Sequence, residues 1–221
     1  MTAPWIVAAV LAVLLVVLVA GLFGALAMGR AHIDLGWGRS FHELGPITVR
    51  IAAPRELVYD IASAPYAGRA GSGSGIDLIA SDRSLVVAAH HTKVHFYSAR
   101  TVEAVELEPP ARIGFRHLTG PVPFAVEEFR LETRDGGTEL RYSGQLGIDY
   151  FIWGRIAARR WVRPQWERVV GEHLDELRER AEARAARERD RAGRGGSVVE
   201  PDAGEHREDP EAGEEEARGG E

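Results

Sequence analysis

The chain has 221 residues, 27 basic and 33 acidic, for a formal net charge of −6, and it has no cysteine. A length of this order holds one ordinary domain with additions, and the absence of cysteine excludes disulfides and leaves the compartment unmarked by redox chemistry. The acidity is uneven: from Gly193 onward ten acids stand against Arg194, Arg207 and Arg218, giving −7 and leaving about +1 for everything before it. The acidic balance therefore belongs to one end and says nothing about what the rest binds.

From Trp5 to Met28 the sequence runs for 24 residues without a charge. As a helix this spans roughly 36 Å, enough to cross a hydrocarbon core of about 30 Å with some tilt. A cleaved signal peptide is the competing reading, since Ala25–Leu26–Ala27 resembles a cleavage site. Against it, no Lys or Arg precedes the run, and the run exceeds the usual signal length of about 7–15 apolar residues. The expectation is a single-pass anchor in the cell membrane over residues 1–30. Arg30, Arg39 and Arg50 follow the span, which places the C-terminal part in the cytoplasm.

Residues 31–43 read as a linker and 44–187 as one domain. The run PITVRIAAP alternates as a strand, and PRELVYDIASAP is a short helix with Pro54 in its first turn. The loop with Gly71, Gly73 and Gly75 follows that helix and leads into a strand, the wrong context for a phosphate cradle. The stretch from Ser84 to Pro110 is too long for one strand, so a reversal belongs within residues 91–98. Three more strands follow: ARIGFRHL, FAVEEFRLE and TELRYSGQLGI, joined by turns at TGPVP and RDGG. The last element is a long helix with Trp166, Val169, Val170, His173, Leu174 and Leu177 on one face. Pro164 should kink or restart it, and past Leu177 only alanines continue the stripe, so its last turns should project into solvent. Residues 188–221, rich in Gly, Glu and Pro, should form a disordered acidic tail.

His90, His91 and His95 invite a metal reading. In a strand His90 and His91 point to opposite faces, while His91 and His95 lie about 13 Å apart, too far to share zinc. No metal site and no cofactor is expected. Pairing Leu118 with Phe124 sets Phe115 opposite Glu127 and Ile113 opposite Phe129. A four-residue loop at RDGG then sets Phe129 opposite Tyr142 and Glu127 opposite Gly144. Arg112, Arg116, Glu128, Arg130 and Glu132 fall on the other, wet face. His117 and Glu127 are thus polar groups on the inward face, within about 7–8 Å of each other, with Gly144 leaving open space beside the carboxylate. His173 reads as a satisfied core histidine.

The runs ITVRIAAPRELVYDIAS, TVEAVELEPPARIGFRH and EEFRLETRDGGTELRYSGQL resemble the START-like, or SRPBCC, superfamily, in its polyketide cyclase/dehydrase and lipid-transport branch. The resemblance covers residues 44–186. It implies an α+β helix-grip fold, a curved antiparallel sheet wrapped around the long C-terminal helix with a cavity for apolar ligands, here preceded by one transmembrane helix. One departure is GRAGSGSG, where many members carry a Trp or a charged residue. The expected function is a membrane-anchored domain that binds or carries a hydrophobic small molecule or lipid, with no nucleic-acid partner. Phe115, His117, Glu127, Phe129, Tyr142 and Gly144 are the candidate ligand-binding residues, and no catalytic residue is assigned. The alternatives are a cyclase- or hydrolase-like enzyme on a polyketide-like substrate, using His117 and Glu127, and a non-catalytic interaction module using the acidic tail.

Overall fold

The computed structural model describes residues 4–68, 75–94 and 97–195. It opens with α1 (Pro4–Ala27), a 24-residue helix whose side chains are apolar on every face and exposed along nearly its whole length. A helix greasy all round has no core-facing stripe to bury, and this one is long enough to cross a membrane.

Seven antiparallel strands follow: β1 (Ser40–Ile51), β2 (Ile76–Asp82), β3 (Leu85–Val94), β4 (Tyr97–Glu108), β5 (Arg112–Thr119), β6 (Phe124–Arg134) and β7 (Gly137–Ile148). They form one sheet in the order β1-β7-β6-β5-β4-β3-β2. Helix α2 (Arg55–Ser63) lies between β1 and β2, with Pro54 as its N-cap. After β7 come α3 (Phe151–Ala157), a π-helical turn (Ala158–Val162) and α4 (Arg163–Gly195). A proline at 164 cannot donate to the carbonyl four residues back, and the wider π turn just ahead of it absorbs that break.

The strand register agrees with the alternation in the sequence. Ile113 pairs with Phe129, Phe115 with Glu127, Phe129 with Tyr142 and Glu127 with Gly144. The β6–β7 loop is shorter than the expected four residues. Arg134 pairs with Gly137, so only Asp135 and Gly136 turn the chain, both at positive φ (51° and 78°). That is the backbone a two-residue hairpin needs to match strand twist, and Asp-Gly supplies it. The β3–β4 reversal falls inside the expected range, because Val94 pairs with Tyr97. His95 lies outside the described residues.

Other boundaries differ from expectation. Strand β1 starts at Ser40, inside the supposed linker, and a bulge between Leu44 and Ile47 carries its pairing with β7 past Gly45–Pro46. Helix α4 continues to Gly195, beyond the expected domain end at Arg187, and the rest of the acidic tail, 196–221, lies outside the described residues. The buried stripe does not stop at Leu177: Ala181 and Ala185 are buried, their small side chains lying in the same core cluster as the apolar residues of α2, and only the turns from Arg187 to Arg194 project into solvent as expected. Glu167 and Glu182 pin α4 to β1, accepting from the Gly45 and Ala52 amides at 3.0 Å each. Leu174 and Leu177 enter the core beside Leu44, Ile113, Leu140 and Leu146, whereas His173 is exposed, at the edge of the stripe and not in the core.

The convex face of the sheet is charged as expected. Arg112 pairs with Glu106, Glu108 and Glu128, Arg130 with Glu128, and Arg134 with Glu139.

Candidate functional site

Alternation along β4, β5, β6 and β7 points four polar side chains at the same concave face: Glu103, His117, Glu127 and Tyr142. His117 is the centre. Its imidazole is 2 % exposed, with Nε2 at 2.8 Å from Glu103 and 3.9 Å from Glu127. The contact with Glu103 is close in distance but lacks hydrogen-bond alignment, and the buried Nδ1 has no hydrogen-bond partner among the described residues. The ring lies 5.2 Å from that of Trp166, which α4 lowers onto the sheet.

Glu127 receives two donors on one oxygen. The Tyr142 hydroxyl and the Trp166 indole N–H (2.6 Å) both donate to Oε1. Glu103 accepts from Thr101 Oγ1 at 3.2 Å and stands 3.4 Å from His90 Nε2. Phe115 and Phe129, 5.2 Å apart and edge-on, form an apolar wall, with Tyr66 against Phe115 and Tyr142 against Phe129.

The charges are tuned apart. Burial pushes the Glu127 carboxyl up; Tyr142, His117 and Trp166 only partly offset this, so it sits above its ordinary value. Burial pushes Glu103 up as well, but His117, His90 and Thr101 more than reverse it and leave it below. Burial lowers His117, yet contact with Glu103 and the charge of Glu127 carry it above its ordinary value. His90 stays below its own, because there burial outweighs Glu103. The arrangement shifts Glu103 toward its ionised form and His117 toward its protonated form, beside a carboxyl that holds its proton more tightly than usual.

All six residues named from the sequence lie on these strands, and five of them meet through these contacts. Gly144 does not leave open space. A Cβ there would stand 2.8 Å from the Val126 carbonyl oxygen and 3.0 Å from Glu127 Cγ, so the glycine is what lets β6 and β7 close up behind the carboxylate. Glu103 and Trp166 were missed as site residues. Thr101, Glu103, Val105 and Leu107 alternate onto one face, which marks Glu103 as an acid on an apolar side. His90 turns inward to Glu103 and His91 outward to Asp77 at 3.0 Å, opposite faces as a strand requires. Two surface grooves, about 450 Å³ lined by Ile61, Glu179 and Ala183 and about 360 Å³ lined by Glu128, Arg130 and Arg141, lie away from this cluster. Among the described residues no group of three or more His, Asp or Glu could hold a metal ion.

No family model and no curated protein matches the chain. Solved structures do. The protein TTHA0849 from Thermus thermophilus superposes with a TM-score of 0.55 at 18% identity, over 65% of this chain and 99% of that one. The di-domain ARO/CYC protein BexL of the BE-7585A biosynthetic pathway gives 0.54 at 22% identity, over 66% of this chain and 50% of that one. The di-domain ARO/CYC protein StfQ of the steffimycin pathway gives 0.52 at 12%, over 67% and 52%. The domain has the helix-grip fold. The chain spans about half the length of the two di-domain proteins, and at these identities the likeness concerns the helix-grip fold alone.

Proposed function

We propose that this protein is a membrane-anchored helix-grip domain that binds a hydrophobic small molecule, gripping one polar group of that molecule with His117. One observation carries the reading: a buried imidazole lies between two buried carboxylates and keeps an unpartnered Nδ1. Buried polar atoms are nearly always satisfied, and a cluster held only for stability would be better replaced by apolar packing. A ligand carbonyl or hydroxyl would satisfy Nδ1, while Phe115, Phe129 and Tyr142 would contact the apolar body. Anchoring rests on α1, and the arginines after it favour a cytoplasmic domain. Native mass spectrometry of the full chain released from detergent tests the reading. A co-purified hydrophobic molecule is expected, lost in His117→Leu. Retention of the same molecule by the folded variant would refute the role of His117.

The opposed protonation tendencies favour a second reading, a cyclase-like enzyme on a polyketide-like substrate, in line with the ARO/CYC names of two structural neighbours. Protonated His117 would donate to a substrate carbonyl oxygen, and ionised Glu103 would hold the imidazolium. Turnover of a linear poly-β-ketone to a cyclised product, abolished in His117→Leu, separates this reading from simple binding.

A further inference from the structure

Twelve residues, 28–39, join α1 to β1, enough to span roughly 40 Å if extended. They do not hang free. The Arg100 amide donates to the Met28 carbonyl at 3.1 Å, and His32 Nδ1 lies 3.2 Å from the Gly120 carbonyl. Asp149 accepts from the Leu35 and Gly36 amides at 3.1 and 3.0 Å and from Arg39 Nε at 2.7 Å. Tyr150 and Phe151 donate their amides to Trp37 and Gly38 at 2.9 and 3.1 Å. The segment is a strap fastened along one end of the sheet, where β4 and β6 begin and β5 and β7 finish. The end of α1 is therefore held against that end of the domain.

The same end carries α3 and the π turn. They sit tightly on the domain through two small residues: a Cβ on Gly154 would lie 1.7 Å from the Asp149 carbonyl oxygen, and Ala158 is fully buried. Nearly everything else on the segment faces outward. Trp153 is 76% exposed, Trp161 66%, and Trp37 of the strap 64%, with Phe151, Ile152 and Ile156 exposed between them. Interleaved are Arg155, Arg159 and Arg160, exposed and with no carboxylate partner among the described residues, whereas Arg112, Arg130 and Arg134 of the convex face are paired. From Tyr150 to Trp166 the sequence has no acid at all. Their charges converge near β1: His42 is held below its ordinary value first by burial, then by Arg159, Arg155 and Arg163.

We propose that Tyr150–Trp161, with Trp37, lies in the headgroup region of the bilayer that α1 enters, docking this end of the sheet onto anionic phospholipid. Trp and Tyr are the side chains that favour the membrane–water boundary, and each Arg near an anionic surface is attracted to it. A segment with aromatic residues and unpaired arginines, lying beside a membrane span, has the composition of an interfacial helix. The inference rests on the anchor reading, and the two separate in one experiment.

The chain has no cysteine, so a single introduced thiol is unique. Spin labels at Val13→Cys, Trp153→Cys, Ile156→Cys and Asp135→Cys in the full chain, reconstituted in phosphatidylcholine/phosphatidylglycerol vesicles, are read by power saturation with oxygen and with a water-soluble nickel chelate. Labels at 13, 153 and 156 should favour oxygen, and the label at 135, on the β6–β7 turn at the opposite end, should favour the chelate. Serine at Arg155, Arg159 and Arg160 together should lower the contrast at 153 at least twofold; no change there overturns the role of anionic lipid. A chelate-accessible 153 with a lipid-buried 13 overturns the inference and keeps the anchor. A label at 153 shielded from both reagents overturns it in favour of a protein partner or a second copy. A chelate-accessible 13 refutes the anchor, and the inference with it.

Discussion

Tyr142→Phe removes one hydroxyl and almost no volume, so its effect isolates the bond to Glu127. Glu127 is buried, and among the described residues its Oε1 receives Tyr142 and Trp166 alone. A hydrogen bond to an ionised group contributes about 1.5–3 kcal/mol and one between neutral groups about 1 kcal/mol. The sign of the pH dependence follows from Glu127's raised value. Stability associated with its neutral form is fully present below the ordinary 4.5 and is lost as pH rises through the higher folded value. The Tyr142 hydroxyl favours the carboxylate, so its removal raises the folded value further, and each pKa unit adds about 1.4 kcal/mol to the loss at high pH.

The variant should therefore be destabilised by about 1 kcal/mol near pH 4.5 and by more at pH 8, the loss rising toward about 1.5–3 kcal/mol as the carboxyl ionises. Urea unfolding of the full chain in micelles, followed by far-UV circular dichroism at both pH values, measures the difference. Trp166→Phe should behave likewise. The double variant should fall short of the sum by about 1 kcal/mol, because a carboxyl that has lost both donors protonates and caps its own penalty. Strict additivity, or a deficit that grows as pH falls, would refute the picture of one carboxylate oxygen shared by two donors.

Glu103→Gln removes the contact that holds His117 above its ordinary value; burial then dominates and the imidazole should titrate below it, as read by ring NMR. Stability tied to protonated His117, present below the ordinary 6.5 and lost as pH rises through its raised value, should vanish in the same variant. Gly144→Ala should lower stability by roughly 1–3 kcal/mol in thermal melts, because its Cβ meets the Val126 carbonyl; a neutral result would restore the open space expected from the sequence. Asp149→Asn should loosen the strap and speed proteolysis between residues 30 and 39. The stability Asp149 contributes, present above its ordinary 3.8 and lost as pH falls through its depressed value, should disappear with the charge.

How much could be read in advance depended on whether a residue's role was local. The β5–β6–β7 register was legible because Arg112, Arg116, Glu128 and Arg130 mark one face at every second position, leaving Ile113, Phe115, Glu127 and Phe129 for the other. Glu103 obeys the same alternation, but it sits in a stretch whose reversal no Gly or Asn marks, so its face had no neighbour to confirm it. The strap was illegible for another reason. Arg39 and Asp149 are separated by 110 positions, and nothing near either residue shows that the linker is fastened rather than free. Gly144 was misread because an absent side chain looks the same in sequence whether the space is empty or filled by backbone.

Two buried polar centres can be compared within this one domain, and only one is complete. Asp149 is buried at the end of β7, yet two backbone amides and Arg39 supply donors to both its oxygens, and burial is outweighed so that it ionises readily. Such a carboxylate has nothing left to offer a ligand; its work is to fasten residues 34–39. At His117 the balance differs: one ring nitrogen has no partner, the other is close to carboxylates without alignment, and Glu127 is held above its ordinary value. Both centres incur the desolvation cost of buried charge, but only the first recovers it from protein donors. The shortfall at the second is what a ligand's polar group could supply, and it is why the proposed function is placed on the Glu103–His117–Glu127 cluster and architecture on Asp149.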